Sequence, residues 1–150
     1  MPHSYVSCLM HCIFSTKGRE KMIADEIQSR LWPYIGGVAR ENKMSALAVG
    51  GVADHCHVLL SIPATISVAK AVQLVKGGSS KWLNDTFPKK RKFSWQEGYG
   101  AFSIGISGLK DTVRYIEAQK WHHQRKSFED EYRAILGKHW IPFDEKYVWG

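Results

Sequence analysis

Long apolar runs are missing from this chain. None approaches the roughly 18 to 20 consecutive apolar residues that a membrane-spanning helix requires, so no helical membrane anchor is predicted. An export signal is missing too. Met1-Pro2-His3-Ser4-Tyr5 has no cationic segment leading into an apolar stretch and a small-residue cleavage site, and the chain is expected in the cytoplasm. Cysteine is scarce. Cys8, Cys12 and Cys56 are an odd number, which leaves at least one free thiol and argues against a disulfide framework. Matched zinc pairs are absent as well. Cys8 and Cys12 lie near His3 and His11, but no second pair follows downstream; on a strand these two cysteines stand too far apart to share an ion, so buried packing is expected. No repeat and no low-complexity tract interrupts the chain, which excludes solenoid architectures. Acidic residues are the minority charge, 14 against 21 Lys+Arg for a net +7, and that balance favours a polyanionic partner.

What is present suits one globular domain over residues 1–150. The chain is long enough to bury a core without staples, and its 44% hydrophobic and 23% charged content excludes wholesale disorder. Six Trp, six Tyr and six Phe fill cores in most proteins; on a basic protein they can also stack on unpaired bases.

Hydrophobic periodicity outlines the elements. Ser4 to Phe14 reads as a strand, followed by a turn at Thr16-Lys17-Gly18-Arg19. Ile23, Ile27, Leu31, Ile35 and Val38 recur at helical spacing from Glu20 to about Asn42, with a kink or break expected at Pro33 and Gly36-Gly37. Ala46 to Val49 reads as a short buried strand ending in a bend or bulge at Gly50-Gly51, and Asp54 to Ile62 as a second strand. A helical pattern begins at Ser67 and runs through Leu83, with Gly77-Gly78 as its weak point. Phe87 to Lys92 is a basic loop, and Phe93 to Ile106 a strand or hairpin. Ser107 is placed to cap a helix from about Leu109 to His123, and Phe128 to Leu136 forms the last helix. Strands separated by helices, with one tightly joined pair, predict an α+β sandwich of the ferredoxin-like kind.

The sharpest local feature is Asp54-His55-Cys56-His57. On a strand, His55 and His57 share one face and Cys56 takes the other. Two imidazoles so spaced can chelate a divalent ion, although two histidines at a strand edge need no ligand at all. Asp54 either orients the adjacent imidazole or simply turns the chain. In the helix after Leu109, Tyr115 and Gln119 share a stripe with His122 following; the plain alternative is a Tyr-Gln pair on a half-exposed helix. His122 and His123 read as helix-end contacts to DNA or to the helix dipole rather than as metal ligands. Pro88-Lys89-Lys90-Arg91-Lys92 is the densest charge run, either a solvated loop or a phosphate-binding one. With Lys76 and Lys81, its Lys89, Lys90, Arg91 and Lys92 are the candidate DNA contacts.

Together, His55-Cys56-His57, Tyr115 and Gln119 resemble the HUH single-tyrosine transposases of the insertion-sequence 200/605 group. Thr16-Lys17-Gly18-Arg19, Gly50-Gly51, Lys76-Gly77-Gly78-Ser79-Ser80 and Trp95-Gln96-Glu97-Gly98-Tyr99 extend the likeness over nearly the whole chain. Cys56 stands where Val or Leu is more usual. The resemblance implies an antiparallel sheet like that of RNA-recognition modules, with the HUH motif on a central strand and the catalytic tyrosine on a helix. It implies a homodimer in which the tyrosine helix of one subunit lies beside the HUH strand of the other. It implies that His55, His57 and Gln119 hold Mg²⁺ or Mn²⁺. It implies that Tyr115 cleaves and rejoins single-stranded, hairpin-bearing DNA through a 5′-phosphotyrosine link, with the protein at the nucleoid when bound. A host-domesticated relative processing repeated hairpins, or a non-catalytic single-stranded nucleic-acid-binding module, are the alternatives.

Overall fold

A computed structural model describes residues 3–150; Met1 and Pro2, part of the N-terminal reading above, lie outside the described residues. The elements run β1 (Leu9–Ser15), α1 (Asp25–Glu41), β2 (Ser45–Val52), β3 (His55–Ser61), α2 (Val68–Thr86), β4 (Gly100–Ile104), α3 (Leu109–Glu117), α4 (Gln119–His122) and α5 (Phe128–Lys138). The four strands form one sheet in the order β2-β3-β1-β4, and every pairing is antiparallel. This is the ferredoxin-like α+β arrangement, with β3 in the interior of the sheet. Among the described residues no helix is long and apolar enough to cross a membrane.

Strand alternation sorts the side chains onto two faces. Cys12, Phe14, Cys56, Val58 and Leu60 point to one face. There they pack against Ile27, Leu31 and Ile35 of α1 and Ala71, Val72 and Val75 of α2 in the main core. The opposite face carries Ile13, Leu59 and Phe102. It is covered by Phe128, Tyr132 and Leu136 of α5 and by Ile116 of α3. The pairings Ile13↔His57 and Ser15↔His55 put both histidines on this second face. The site is therefore enclosed between the sheet and α3 to α5.

Several boundaries differ from those read in the sequence. β1 starts at Leu9 rather than Ser4. α1 starts at Asp25 rather than Glu20, because Met22 and Ile23 first donate their backbone N–H groups to the Ala53 carbonyl, each at 3.0 Å. α1 then runs unbroken through Pro33 and the glycine pair. Pro33 is exposed, so water can satisfy the carbonyl that its missing N–H leaves free. α2 likewise passes through Gly77-Gly78 intact; a Cβ on Gly78 would lie 3.2 Å from the Val38 methyls, so that glycine lets α2 approach α1 closely. Ser67 caps α2 by accepting from the Lys70 N–H. Ser107 caps nothing: it sits in a short 3-10 turn, and Gly108 precedes α3. Of the Phe93 to Ile106 stretch only β4 joins the sheet, helped by an isolated bridge between Trp95 and Thr16.

Gly50-Gly51 is neither a bend nor the bulge. β2 continues through both, and the register shift falls between Ala46 and Ala48. A Cβ on Gly50 would come within 2.4 Å of the Ile116 carbonyl oxygen, so glycine is what allows α3 to lie against the sheet. Gly50→Ala is expected to lower stability by about 1–3 kcal/mol through overpacking, measured by urea unfolding. An unchanged midpoint would contradict this seating of α3.

Candidate metal centre and nucleophile

His55 and His57 open β3 and are fully buried. Each is held at its Nδ1: His55 by Asp54 Oδ1 at 2.7 Å, and His57 by Nε2 of His11, on β1, at 2.8 Å. That fixes both rings with Nε2 directed at α5. There Glu131 Oε1 lies 3.3 Å from His55 Nε2, 3.1 Å from His57 Nε2 and 3.1 Å from His123 Nε2. Gln119 Oε1 lies 3.2 Å from His55 Nε2 and 3.0 Å from His123 Nε2. The Tyr115 hydroxyl donates to the other Glu131 oxygen, Oε2. One buried carboxylate thus joins the imidazole cluster to the phenol.

Local folding brings these groups together. The predicted helix from Leu109 to His123 breaks at Ala118 (φ −97°, ψ 20°), and α4 resumes one residue later. Gln119 is buried beside His55, its amide donating back to the Tyr115 carbonyl at 3.2 Å. His122 lies over the Tyr115 ring, centroids 4.6 Å apart, while His123 turns inward to the cluster. Ser127 caps α5 by accepting from the Asp130 N–H. Glu131 then falls on the same stripe as Phe128 and Tyr132 and faces the sheet.

The bonds dictate the protons of the metal-free cluster. Burial opposes charge on His55, but the Asp54 and Glu131 carboxylates overcome it and push the imidazole up to about 9, so both its nitrogens donate. His57 goes the other way: burial outweighs Glu131 and brings it down to about 4. His11 drops to about 3 through burial and its neighbour His57. Neutral His57 donates from Nε2 to Glu131, since an ionised carboxylate only accepts, and so accepts at Nδ1 from His11 Nε2. Burial alone would raise the Glu131 carboxyl, yet hydrogen bonds from His123, His55 and His57 hold it far below the usual carboxylate range. Burial and that same carboxylate hold the Tyr115 phenol well above its ordinary value.

The donor set fits a divalent cation. Ligand atoms of His55, His57, His123 and Glu131 all lie within 4.8 Å of one another, and the Gln119 amide oxygen borders them. Three imidazoles with one carboxylate suit a first-row transition ion, and the Nδ1 partners Asp54 and His11 are what oriented ligands require. His11→Phe is expected to weaken cation binding about tenfold or more, read by Mn²⁺ titration; unchanged affinity would contradict a positioning role for His11.

Of the residues singled out in the sequence, the structure brings together His55, His57, Gln119, Tyr115 and Asp54. His11, His123 and Glu131 were not anticipated there. His123 is a member of the cluster rather than a helix-end contact. Tyr115 meets Glu131 of its own chain.

The basic candidates lie elsewhere. Lys76 sits on α2, across the sheet from the histidines. Its Nζ donates to the carbonyls of Gln96 at 2.6 Å, Glu97 at 3.1 Å and Gly98 at 2.8 Å, which makes it a strut rather than a free phosphate contact. Lys81 pairs with Asp85 at 2.7 Å, and Arg91 with Glu20. Lys89, Lys90 and Lys92 are exposed on the same loop. Nearer the site, a cavity of about 690 Å³ is lined by Lys21, Lys120 and Lys126 with Asp54 and His123. Lys126 also borders a cavity of about 550 Å³ against Tyr115 and Glu131.

Residues 4–119 match the family described as "Transposase IS200 like". The chain is 27% identical over 133 residues to the transposase for insertion sequence element IS200 of Salmonella typhimurium. That alignment covers 83% of this chain and 87% of the relative, and the Salmonella typhi protein matches equally. In fold it is similar to a candidate transposase from Deinococcus radiodurans (TM-score 0.63, 24% identity), over 79% of this chain and 96% of that one. It is also similar to a REP-associated tyrosine transposase bound to a REP hairpin (TM-score 0.58, 14% identity), over 82% and 73%.

Proposed function

From the premise that this chain belongs to the IS200-like transposase family, we propose that it is a metal-dependent transposase. On this reading it cleaves and rejoins single-stranded DNA at hairpin-bearing element ends, by forming a 5′-phosphotyrosine link at Tyr115. The observation that carries the reading is the Glu131 carboxylate, which holds the Tyr115 hydroxyl on one oxygen and three imidazoles on the other. Nucleophile and metal donors therefore converge on one spot. The hairpin-bound structural neighbour supports a folded single strand as the substrate.

The Tyr115 oxygen attacks phosphorus as the bond to the 3′ oxygen breaks, and the phenolic proton passes to solvent. The departing 3′ oxygen takes a proton from solvent. Rejoining reverses this: a 3′-OH attacks the phosphotyrosine, Tyr115 leaves as a phenolate stable enough to depart, and no nucleotide cofactor is needed. His55 and His57, oriented by Asp54 and His11, would hold the cation together with His123 and Glu131, beside the Gln119 amide oxygen. When bound, a divalent cation supplies the positive charge that polarises the scissile phosphate and eases ionisation of the phenol. Of Mg²⁺ and Mn²⁺, this imidazole-rich set suits Mn²⁺ better. With one tyrosine per chain, two DNA ends call for two copies, a homodimer.

The test is an SDS-resistant adduct between the protein and end-labelled single-stranded DNA from the flanks of its own gene. The adduct is expected with Mn²⁺ or Mg²⁺ and is lost on chelation and in His57→Ala. Binding without any adduct or cleavage would sink the transferase reading and leave a nucleic-acid-binding module.

A further inference from the structure

We propose that Trp121 and His122 form a stacking slot for one unpaired nucleobase beside the scissile phosphate. The inference rests on the transferase reading for its location and on the following geometry for its chemistry. Trp121 is 51% exposed beside the nucleophile. It ends a run of ring contacts that leads outward from the nucleophile. The His122 ring lies 4.6 Å from that of Tyr115 at 34°, and the Trp121 ring meets His122 edge-on at 5.2 Å and 74°. The Arg125 guanidinium lies 4.4 Å from the indole centroid. A cavity of about 230 Å³ opens among Tyr115, Trp121, His122, Arg125 and Lys126, with Glu131 at its inner end.

The chemistry selects the occupant. An apolar peptide would have to bury Arg125 and Lys126 without partners, which is costly. A nucleotide satisfies both halves of the slot, because its base offers a π-face to the rings and its phosphate pairs with the cations. Stacking is tolerant of base identity, so the slot positions the strand rather than reading its sequence. With the base held there, the adjoining phosphate lies over the Tyr115 hydroxyl. Trp121 and His122 are thus positioning residues for the strand, in contact with substrate but not with the bond that breaks.

The experiment uses the full chain carrying Tyr115→Phe, which keeps the strand intact, and reads equilibrium binding by fluorescence anisotropy. A single abasic residue is walked along the bound strand. At one position its presence is expected to weaken binding about tenfold, and Trp121→Ala is expected to weaken binding of the intact strand by a similar factor. Combining the two should cost no more than either alone, and Trp121→Phe should restore most of the affinity. Losses that multiply at every position, or a Trp121→Ala protein that binds as well as its parent, would overturn the slot. Because binding is measured without cleavage, either result stands whether or not wild-type protein forms an adduct.

Discussion

Glu131→Gln is expected to destabilise the metal-free protein by roughly 3–5 kcal/mol, the range for removing one partner of a buried ion pair. Glu131 is 3% exposed and accepts from three imidazoles and the Tyr115 phenol. His55 carries a full positive charge at neutral pH, because Asp54 and Glu131 outweigh its burial. Glutamine removes the more central of those two carboxylates. It also replaces one accepting oxygen by an amide NH₂, which can only donate, so the Tyr115 hydroxyl must turn to accept or the imidazoles lose their acceptor. The imidazolium keeps Asp54 alone, and part of the cluster must give up protons or open to water. Urea unfolding in chelator reads the loss. Mn²⁺ titration of the same variant should show affinity reduced at least about tenfold. A variant as stable as its parent, with unaltered Mn²⁺ affinity, would mean that the four-way contact at Glu131 is incidental.

Tyr115→Phe has the other large effect, and it separates chemistry from binding. Adduct formation should fall by a factor on the order of 10⁴ or more, as for loss of a nucleophile in other covalent enzymes. Stability should change little. The substitution removes one donor from a carboxylate that keeps three others, and the phenyl ring still packs against His57 and His122. Cation affinity is expected to hold within about threefold, since Tyr115 is not among the imidazole and carboxylate groups that could hold an ion. The metal-free phenol is a poor nucleophile, held well above its usual pKa by burial and the Glu131 charge. Adduct made without added cation should accordingly be negligible even in the wild type. Retention of adduct by Tyr115→Phe would point to another nucleophile and dismantle the proposed role.

Strand parity alone placed His55 and His57 opposite Cys56, and the packing bears this out: the histidines face α5 while Cys56 enters the α1 and α2 core. The helical spacing of Phe128, Tyr132 and Leu136 carries a further signal. Glu131 lies on that apolar stripe, and a lone carboxylate facing a core asks for partners. His11 was not legible, because its contact with His57 depends on the β1–β3 register, which no local pattern encodes. His123 was legible in part, since it follows Gln119 by four residues on the Tyr115 stripe; its contact with Glu131 depends on how α5 packs, which no local pattern encodes. The basic run at Lys89–Lys92 stood out by density. Its place after α2, across the sheet, is a matter of topology, whereas Lys126 borders the tyrosine cavity from a far less conspicuous stretch.

The most direct test of the account is to map the covalent adduct by mass spectrometry. The adduct would be formed with Mn²⁺ on single-stranded DNA from the gene's flanks, trimmed by nuclease and digested with trypsin. Cleavage after Arg114 and after Lys120 releases the peptide Tyr115–Lys120. The account predicts that this peptide carries the residual nucleotide through a phosphodiester on Tyr115. A nucleotide on any other residue, or cleaved DNA with no modified peptide, would contradict it.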